Sequence, residues 1–275
     1  MAKKPVLAIM YDFDKTLSSQ DMQNFSFIPA LGMTPKEFWT ATGEFSEKTN
    51  MERILSYMYM MVHMAKEKGI HLTKSYLRSL GKDIHFYEGV NTWFQRINEY
   101  GKALGVKVEH YLVSSGTKEI VEGSSIANAF TKIWGCEFYF DESGEPVWPK
   151  MTINYTMKTQ FYYRIAKGTM NLKDDNTVNQ HSKVKHVKYQ NFVYIGDGIT
   201  DIPCMTLVKE NGGKSIAVYA RGKKETVSML AKEERVNFIC EANYSPNSQL
   251  EKVVKMIINQ VSITESLTKL EHKNK

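Results

Sequence analysis

Cysteine is scarce in this sequence. Only three occur in 275 residues, Cys136, Cys204 and Cys240, at spacings that suit neither a disulfide framework nor a metal-binding pair. Long apolar runs are missing too. A membrane helix needs about 18 or more consecutive apolar residues; the greasiest stretch, 57–65, is shorter and contains His63. The basic start Met1-Ala2-Lys3-Lys4-Pro5 leads into a handful of apolar residues before Asp12, which is too few for a secretory signal. These absences predict a cytoplasmic protein with no membrane partner. The seven histidines form no H-E-x-x-H or Cys/His group, so zinc is not expected. Asp174-Asp175-Asn176 lacks the spacing of a calcium loop. Gly116 follows Ser115, but no glycine precedes at the place that a G-x-S-x-G nucleophile elbow requires. A strong charge of one sign is also absent. The formal surplus of +6 reads as solvated lysine, and no nucleic-acid partner is expected.

What is present is an ordinary globular composition, 42% hydrophobic and 24% charged, which excludes wholesale disorder. Short apolar runs recur at 6–11, 110–113, 192–195, 216–219 and 236–239. Each reads as a strand buried on both faces of a parallel sheet. Helical patterns fall between them at 91–104, 118–129, 159–167, 201–209, 225–232 and 249–261, with a polar tail from about Thr268. Alternation of this kind predicts an α/β fold built on a doubly wound, mostly parallel, Rossmann-like sheet. Phe138-Tyr139-Phe140 and Val147-Trp148, around the turn 141–144, predict a small β-hairpin, and the polar stretch 171–188 a solvated loop.

The first two strands are separated by far more chain than one crossover needs. Thr34-Pro35-Lys36-Glu37 is a capping box with proline at the first helical position. Thr49-Asn50-Met51-Glu52 reads as a second box. It opens a helix whose apolar residues Ile54, Leu55, Met58, Met61, Val62 and Ala65 share one face and which Gly69 ends. Thr73 can cap a third helix, closed by Gly81. The expected organisation is therefore a core of residues 1–17 and 86–275 with a helical subdomain, 18–85, inserted into it.

Chemistry gathers at three strand ends. The first strand runs into Asp12-Phe13-Asp14-Lys15-Thr16, the second into Ser114-Ser115-Gly116, and the strand at 192–195 into Gly196-Asp197-Gly198-Ile199-Thr200-Asp201. Ligands of open α/β sheets bind at the carboxyl ends of the strands. Three carboxylates meeting there repel one another unless a cation or proton is shared. Such an oxygen cluster suits a hard ion, above all Mg²⁺.

These motifs, together with Lys158 at the start of a helix, resemble those of the haloacid dehalogenase superfamily of phosphohydrolases, and in particular its phosphoserine phosphatase-like branch. In that family an insertion after the first motif is a cap over the active site, and 18–85 lies in the matching position. The resemblance implies Asp12 as a nucleophile that forms an aspartyl-phosphate and Asp14 as the acid and base. It implies Mg²⁺ held by Asp12, Asp197 and the main-chain carbonyl of Asp14. Thr16, Ser114, Ser115 and Gly116 would cradle phosphate. Lys158, preferred over Lys150 and Lys167, would neutralise charge, and Asp201 would orient it.

The implied substrate is a small phosphorylated metabolite. Asp21 lies nine residues after Asp12, where phosphoserine phosphatases resemble it with a glutamate that meets the substrate amine. This favours an amino-bearing compound such as phosphoserine. Arg53 could meet a substrate carboxylate. Phe25, Phe27, Trp39, Phe45, Tyr57 and Tyr59 could cage a quaternary ammonium, which keeps phosphoethanolamine and phosphocholine open. Phosphotransfer to an alcohol through the same intermediate, and a non-catalytic binding protein on this fold, are the other readings. Lys15 stands where phosphoserine phosphatases usually carry serine, and Ser114-Ser115-Gly116 where they carry Ser-Gly-Gly.

Overall fold

The computed structural model describes residues 4–181 and 185–273; the basic N-terminal residues 1–3, part of the polar stretch 171–188 and the last two residues lie outside them. Seven strands form one sheet: β1 (Val6–Tyr11), β2 (Lys107–Thr117), β3 (Lys132–Phe140), β4 (Pro146–Met151), β5 (Phe192–Gly196), β6 (Lys214–Tyr219) and β7 (Phe238–Glu241). Their spatial order is β4-β3-β2-β1-β5-β6-β7. All neighbours are parallel except β3 and β4, which form an antiparallel hairpin. The hairpin expected from sequence is thus continuous with the main sheet, because β3 begins earlier, at Lys132, and pairs with β2.

Every residue of β1 is buried, as a central strand covered on both faces requires. Helices α5 (Val90–Ala103), α6 (Lys118–Glu122), α7 (Met157–Lys167), α8 (Asp175–Asn179), α9 (Ile202–Glu210), α10 (Glu225–Lys232) and α11 (Gln249–Lys273) complete the core. Three expectations need correction. The segment 118–129 is α-helical only to Glu122, where Gly123 and Ser124 turn the chain ahead of a short 3₁₀ helix at Ala127–Ala129. The polar stretch 171–188 contains α8, and the buried Arg164 guanidinium donates to the carbonyls of Asn171 and Leu172. The last helix runs to Lys273 rather than fraying near Thr268. None of the described helices is long and apolar enough to cross a membrane.

Between β1 and α5 lie four helices: α1 (Phe27–Ala30), α2 (Pro35–Thr49), α3 (Arg53–Glu67) and α4 (Lys74–Leu80). The capping box at Thr34 forms, with Thr34 Oγ1 accepting from Glu37 N and Glu37 accepting from Thr34 N. The second box does not. Thr49 remains inside α2, its hydroxyl donating back to the Phe45 carbonyl, and Asn50 breaks the helix in the left-handed region at φ 53°. Glu52 caps α3 instead, accepting from the amides of Ile54 and Leu55. The insertion leaves and rejoins the core through a short two-stranded neck. There Ser18 bridges Phe86, Ser19 N donates to the His85 carbonyl, and Tyr87 N donates to that of Leu17.

Candidate active site

Strands β2, β1 and β5 are neighbours, yet the chain runs outward from β1 in both directions. This is a topological switch point, where the loops diverge and leave a crevice. The three motifs occupy the loops at these strand ends. Asp12 follows β1 directly and its amide donates to the Ile195 carbonyl at 2.9 Å, so β5 fixes the backbone that carries it. The chain then turns so tightly that the Phe13 carbonyl accepts from the amides of Thr16, Leu17 and Ser18. Lys15 takes φ 56° to make this turn.

Lys158, in the first turn of α7, is completely buried. Its Nζ donates to Asp12 Oδ1 and to Asp201 Oδ1, each at 2.7 Å. Lys150, half exposed, pairs with Glu137, and Lys167 donates to the carbonyls of Val178 and Gln180, so neither rival reaches Asp12. Asp201 has no free capacity. Oδ1 also accepts from the Tyr194 hydroxyl at 2.7 Å, and Oδ2 accepts from the amides of Asp197 and Gly198. Tyr194 is a partner the motifs did not reveal. Its one signal is a hydroxyl in an otherwise apolar strand.

Oxygens of Asp12, Asp197 and Asp201 lie within 4.8 Å of one another. Burial pushes Asp12 up to about 6 despite the attraction of Lys158. Burial and then the charges of Asp12 and Asp201 push Asp197 up to about 8. This is the signature of carboxylates crowded without enough positive charge. Asp201 is saturated by four donors, so the oxygens open to a cation belong to Asp12 and Asp197. Among the described residues no backbone amide donates to the Asp14 carbonyl. An all-oxygen set of two carboxylates and a carbonyl fits a hard divalent ion.

Asp14 presents a different environment. Burial, then the charges of Asp21 and Asp12, hold its carboxyl well above the usual range. Met22 N donates to Oδ1 at 2.7 Å, so Oδ2 is the oxygen left to carry a proton. Thr16 Oγ1 lies 3.4 Å from Asp12 and 3.5 Å from Asp197, and its carbonyl accepts from the Tyr244 hydroxyl.

The two serines of the second motif separate. Ser114 Oγ accepts from Gly116 N at 2.9 Å and braces the loop. Ser115 lines the cavity, and its buried hydroxyl has no protein partner. Tyr57, reaching down from α3, donates to the Ser115 carbonyl at 2.7 Å.

The cavity between the insertion and the sheet has a volume of about 730 Å³. Asp12, Asp14 and Asp197 line it from below, and Trp39 and Arg53 from the inserted helices. Of the cap aromatics, Trp39 and Tyr57 reach the cavity. Phe27 is buried in the insertion's own core, while Phe45 stacks on Tyr59 away from it. Asp21 also lines the cavity, but both its oxygens are held by Lys15 Nζ, at 2.8 and 2.9 Å.

No family model matches the chain. A protein of Borreliella burgdorferi described as uncharacterized is 27% identical, over 90% of this chain and 95% of its own length. Among solved structures, a HAD-family hydrolase from Salmonella enterica serovar Typhi superposes with a TM-score of 0.58 at 16% identity, over 87% of this chain and 68% of that one. A phosphoserine phosphatase solved as a phospho-aspartyl intermediate analogue superposes with a TM-score of 0.54, also at 16% identity, over 92% of this chain and 99% of that one. The chain shares their fold, a mostly parallel Rossmann-like sheet with helical insertions.

Proposed function

We propose that the protein is a Mg²⁺-dependent phosphatase that hydrolyses a small phosphomonoester through an aspartyl-phosphate on Asp12, with the insertion 18–85 as its cap. One observation carries this reading: Asp12 lies at the floor of the cavity, held by a buried lysine, beside a second acidic residue whose environment favours its protonated form.

Lys158 occupies Asp12 Oδ1, which leaves Oδ2 to attack phosphorus. A carboxylate meeting a phosphate dianion faces repulsion of about 4 kcal/mol per charge pair at ~4 Å and an effective dielectric near 20. Lys158 opposes that repulsion from behind. The carboxylates of Asp12 and Asp197 and the Asp14 carbonyl would hold Mg²⁺, which when bound supplies further positive charge against the phosphoryl oxygens. The Ser115 hydroxyl, which has no protein partner, is the donor this motif leaves for a phosphoryl oxygen, while the Gly116 amide is spent on Ser114. As the bond from phosphorus to the alcohol oxygen breaks, the proton on Asp14 Oδ2 passes to that oxygen and the alcohol leaves. Asp14, now a carboxylate, takes a proton from water as the water oxygen attacks the phosphorus. The bond from phosphorus to Asp12 then breaks, inorganic phosphate leaves, and both aspartates return to their starting state.

The test is phosphate release from an aryl phosphate. Release should require Mg²⁺, stop with a chelator and fall below detection in Asp12→Asn. Turnover that survives this substitution would remove Asp12 as nucleophile and the mechanism with it.

A further inference from the structure

Among the described residues a few buried side-chain oxygens find no hydrogen-bond partner, and three of them, on Ser115, Gln23 and Thr42, belong to residues that line the catalytic cavity. Phosphate accounts for Ser115. It does not account for Gln23, from the first turn of the insertion, or Thr42, from the middle of α2. They are 2% and 5% exposed. Leaving a buried polar atom unpaired is costly, because it gives up its bond to water and gains none in return. Native proteins carry few such atoms, and a ligand that completes them is one reason to keep them. Gln23 Oε1 can only accept, so whatever meets it must bring an O–H or N–H group. Thr42 Oγ1 can donate or accept.

Charge decides which of these groups it is. An ammonium would need a free carboxylate in a sheltered place. Asp21, the least exposed carboxylate of the insertion to line the cavity, already holds the Lys15 ammonium with both oxygens. That ammonium is tethered six residues away in a fixed turn, so its effective concentration far exceeds that of a free metabolite. Glu47 and Arg53 face the same cavity from exposed positions, where water screens a charge pair. A hydroxyl needs none of these charges. It can donate to Gln23 Oε1 and accept from Thr42 Oγ1.

We propose that the alcohol released by this site is an uncharged, hydroxyl-bearing one, a polyol or sugar, recognised by Gln23 and Thr42, and that the Lys15–Asp21 pair excludes amino-bearing phosphates. This rests on the phosphatase reading above and names its substrate class. The cavity of about 730 Å³ accommodates a phosphate with several carbons attached.

The experiment compares kcat/KM for glycerol phosphate, hexose phosphates, phosphoserine, phosphoethanolamine and phosphocholine, each divided by the value for one aryl phosphate. In the wild type at least one hydroxyl-bearing substrate should exceed every amino-bearing one by tenfold or more. In Gln23→Leu that normalised value should fall tenfold to a hundredfold. The melting temperature should hold or rise, since an unpaired buried acceptor is gone; a purely structural glutamine would lower it. In Lys15→Ser, Asp21 is released, and the normalised value for phosphoethanolamine should rise about tenfold. Preference for amino-bearing phosphates in the wild type, or an unmoved ratio in Gln23→Leu, overturns this inference while aryl phosphate turnover keeps the phosphatase reading intact. Absence of turnover on every phosphate overturns both.

Discussion

A lysine with no exposed surface is expensive unless its charge is matched. Lys158 is matched twice, by Asp12 and Asp201, and those carboxylates depend on it in turn. Replacing it with methionine keeps the stem and deletes the charge. Two buried carboxylates are then left facing each other. Breaking a buried pair in this way costs about 3–5 kcal/mol. Lys158→Met should therefore lose at least a thousandfold in turnover and that much stability in urea at pH 7.5. The stability deficit should shrink toward pH 5, as Asp12 takes up a proton and stops repelling its neighbour. A deficit independent of pH would mean that packing, not charge, holds Lys158 in place. The identity of this residue was legible from its place at the start of the helix before the acidic strand. Which serine lines the cavity was not. Ser114 and Ser115 are adjacent, and only the geometry of the strand end turns one hydroxyl onto the loop and opens the other to the cavity.

At the scale of elements, β1, β2 and α5 are joined by a buried polar relay. Trp93 Nε1 donates to the Tyr11 hydroxyl at 2.9 Å, which donates in turn to His110 Nδ1 at 2.9 Å, while His110 Nε2 donates to Asn98 Oδ1 at 3.2 Å. These contacts require neutral imidazole, and burial pushes His110 down to about 3. In the unfolded chain it titrates near 6.5. Between these values the unfolded chain binds more protons, so the contribution to stability is complete above about 6.5 and is lost as pH falls below it. From this residue the wild type should lose about 2 kcal/mol between pH 7 and pH 5. His110→Gln should lose correspondingly less over the same range, as read from urea midpoints; equal losses would show that His110 accepts a proton inside the fold. The strand itself was easy to recognise, since an apolar run ending in a motif has few alternatives. Helix limits were harder. Thr49 has the residue type and spacing of a cap, but α2 continues through it because the left-handed break falls one residue later, at Asn50. Strand β7 begins at Phe238, two residues into its apolar run, because its ladder with β6 starts at Ile216.

On the scale of the whole molecule, the insertion was legible from the excess of chain between the first two strands. Its seating was not, because the contact that fixes it is between backbones and leaves no side-chain pattern. A Cβ added to Gly123 would lie 1.8 Å from the Arg78 carbonyl oxygen, and one added to Gly81 would lie 2.2 Å from that of Ile120. The end of α4 and the end of α6 therefore touch main chain to main chain. Gly123→Ala should cost about 1–3 kcal/mol and lower turnover by loosening the roof of the cavity, both readable from thermal melts and phosphate release. An unchanged melting temperature would show that the two helices part freely. The pairing of β1 reaches further still. Its partners are Lys107–Leu112 on one side and Phe192–Ile195 on the other, and the amide of Asp12 hangs on the latter. During synthesis this strand emerges ahead of the other six and waits for most of the polypeptide before both flanks are covered. A ribosome that stalls before residue 192 leaves that segment in reach of chaperones and of other nascent chains, with Asp12 still unanchored.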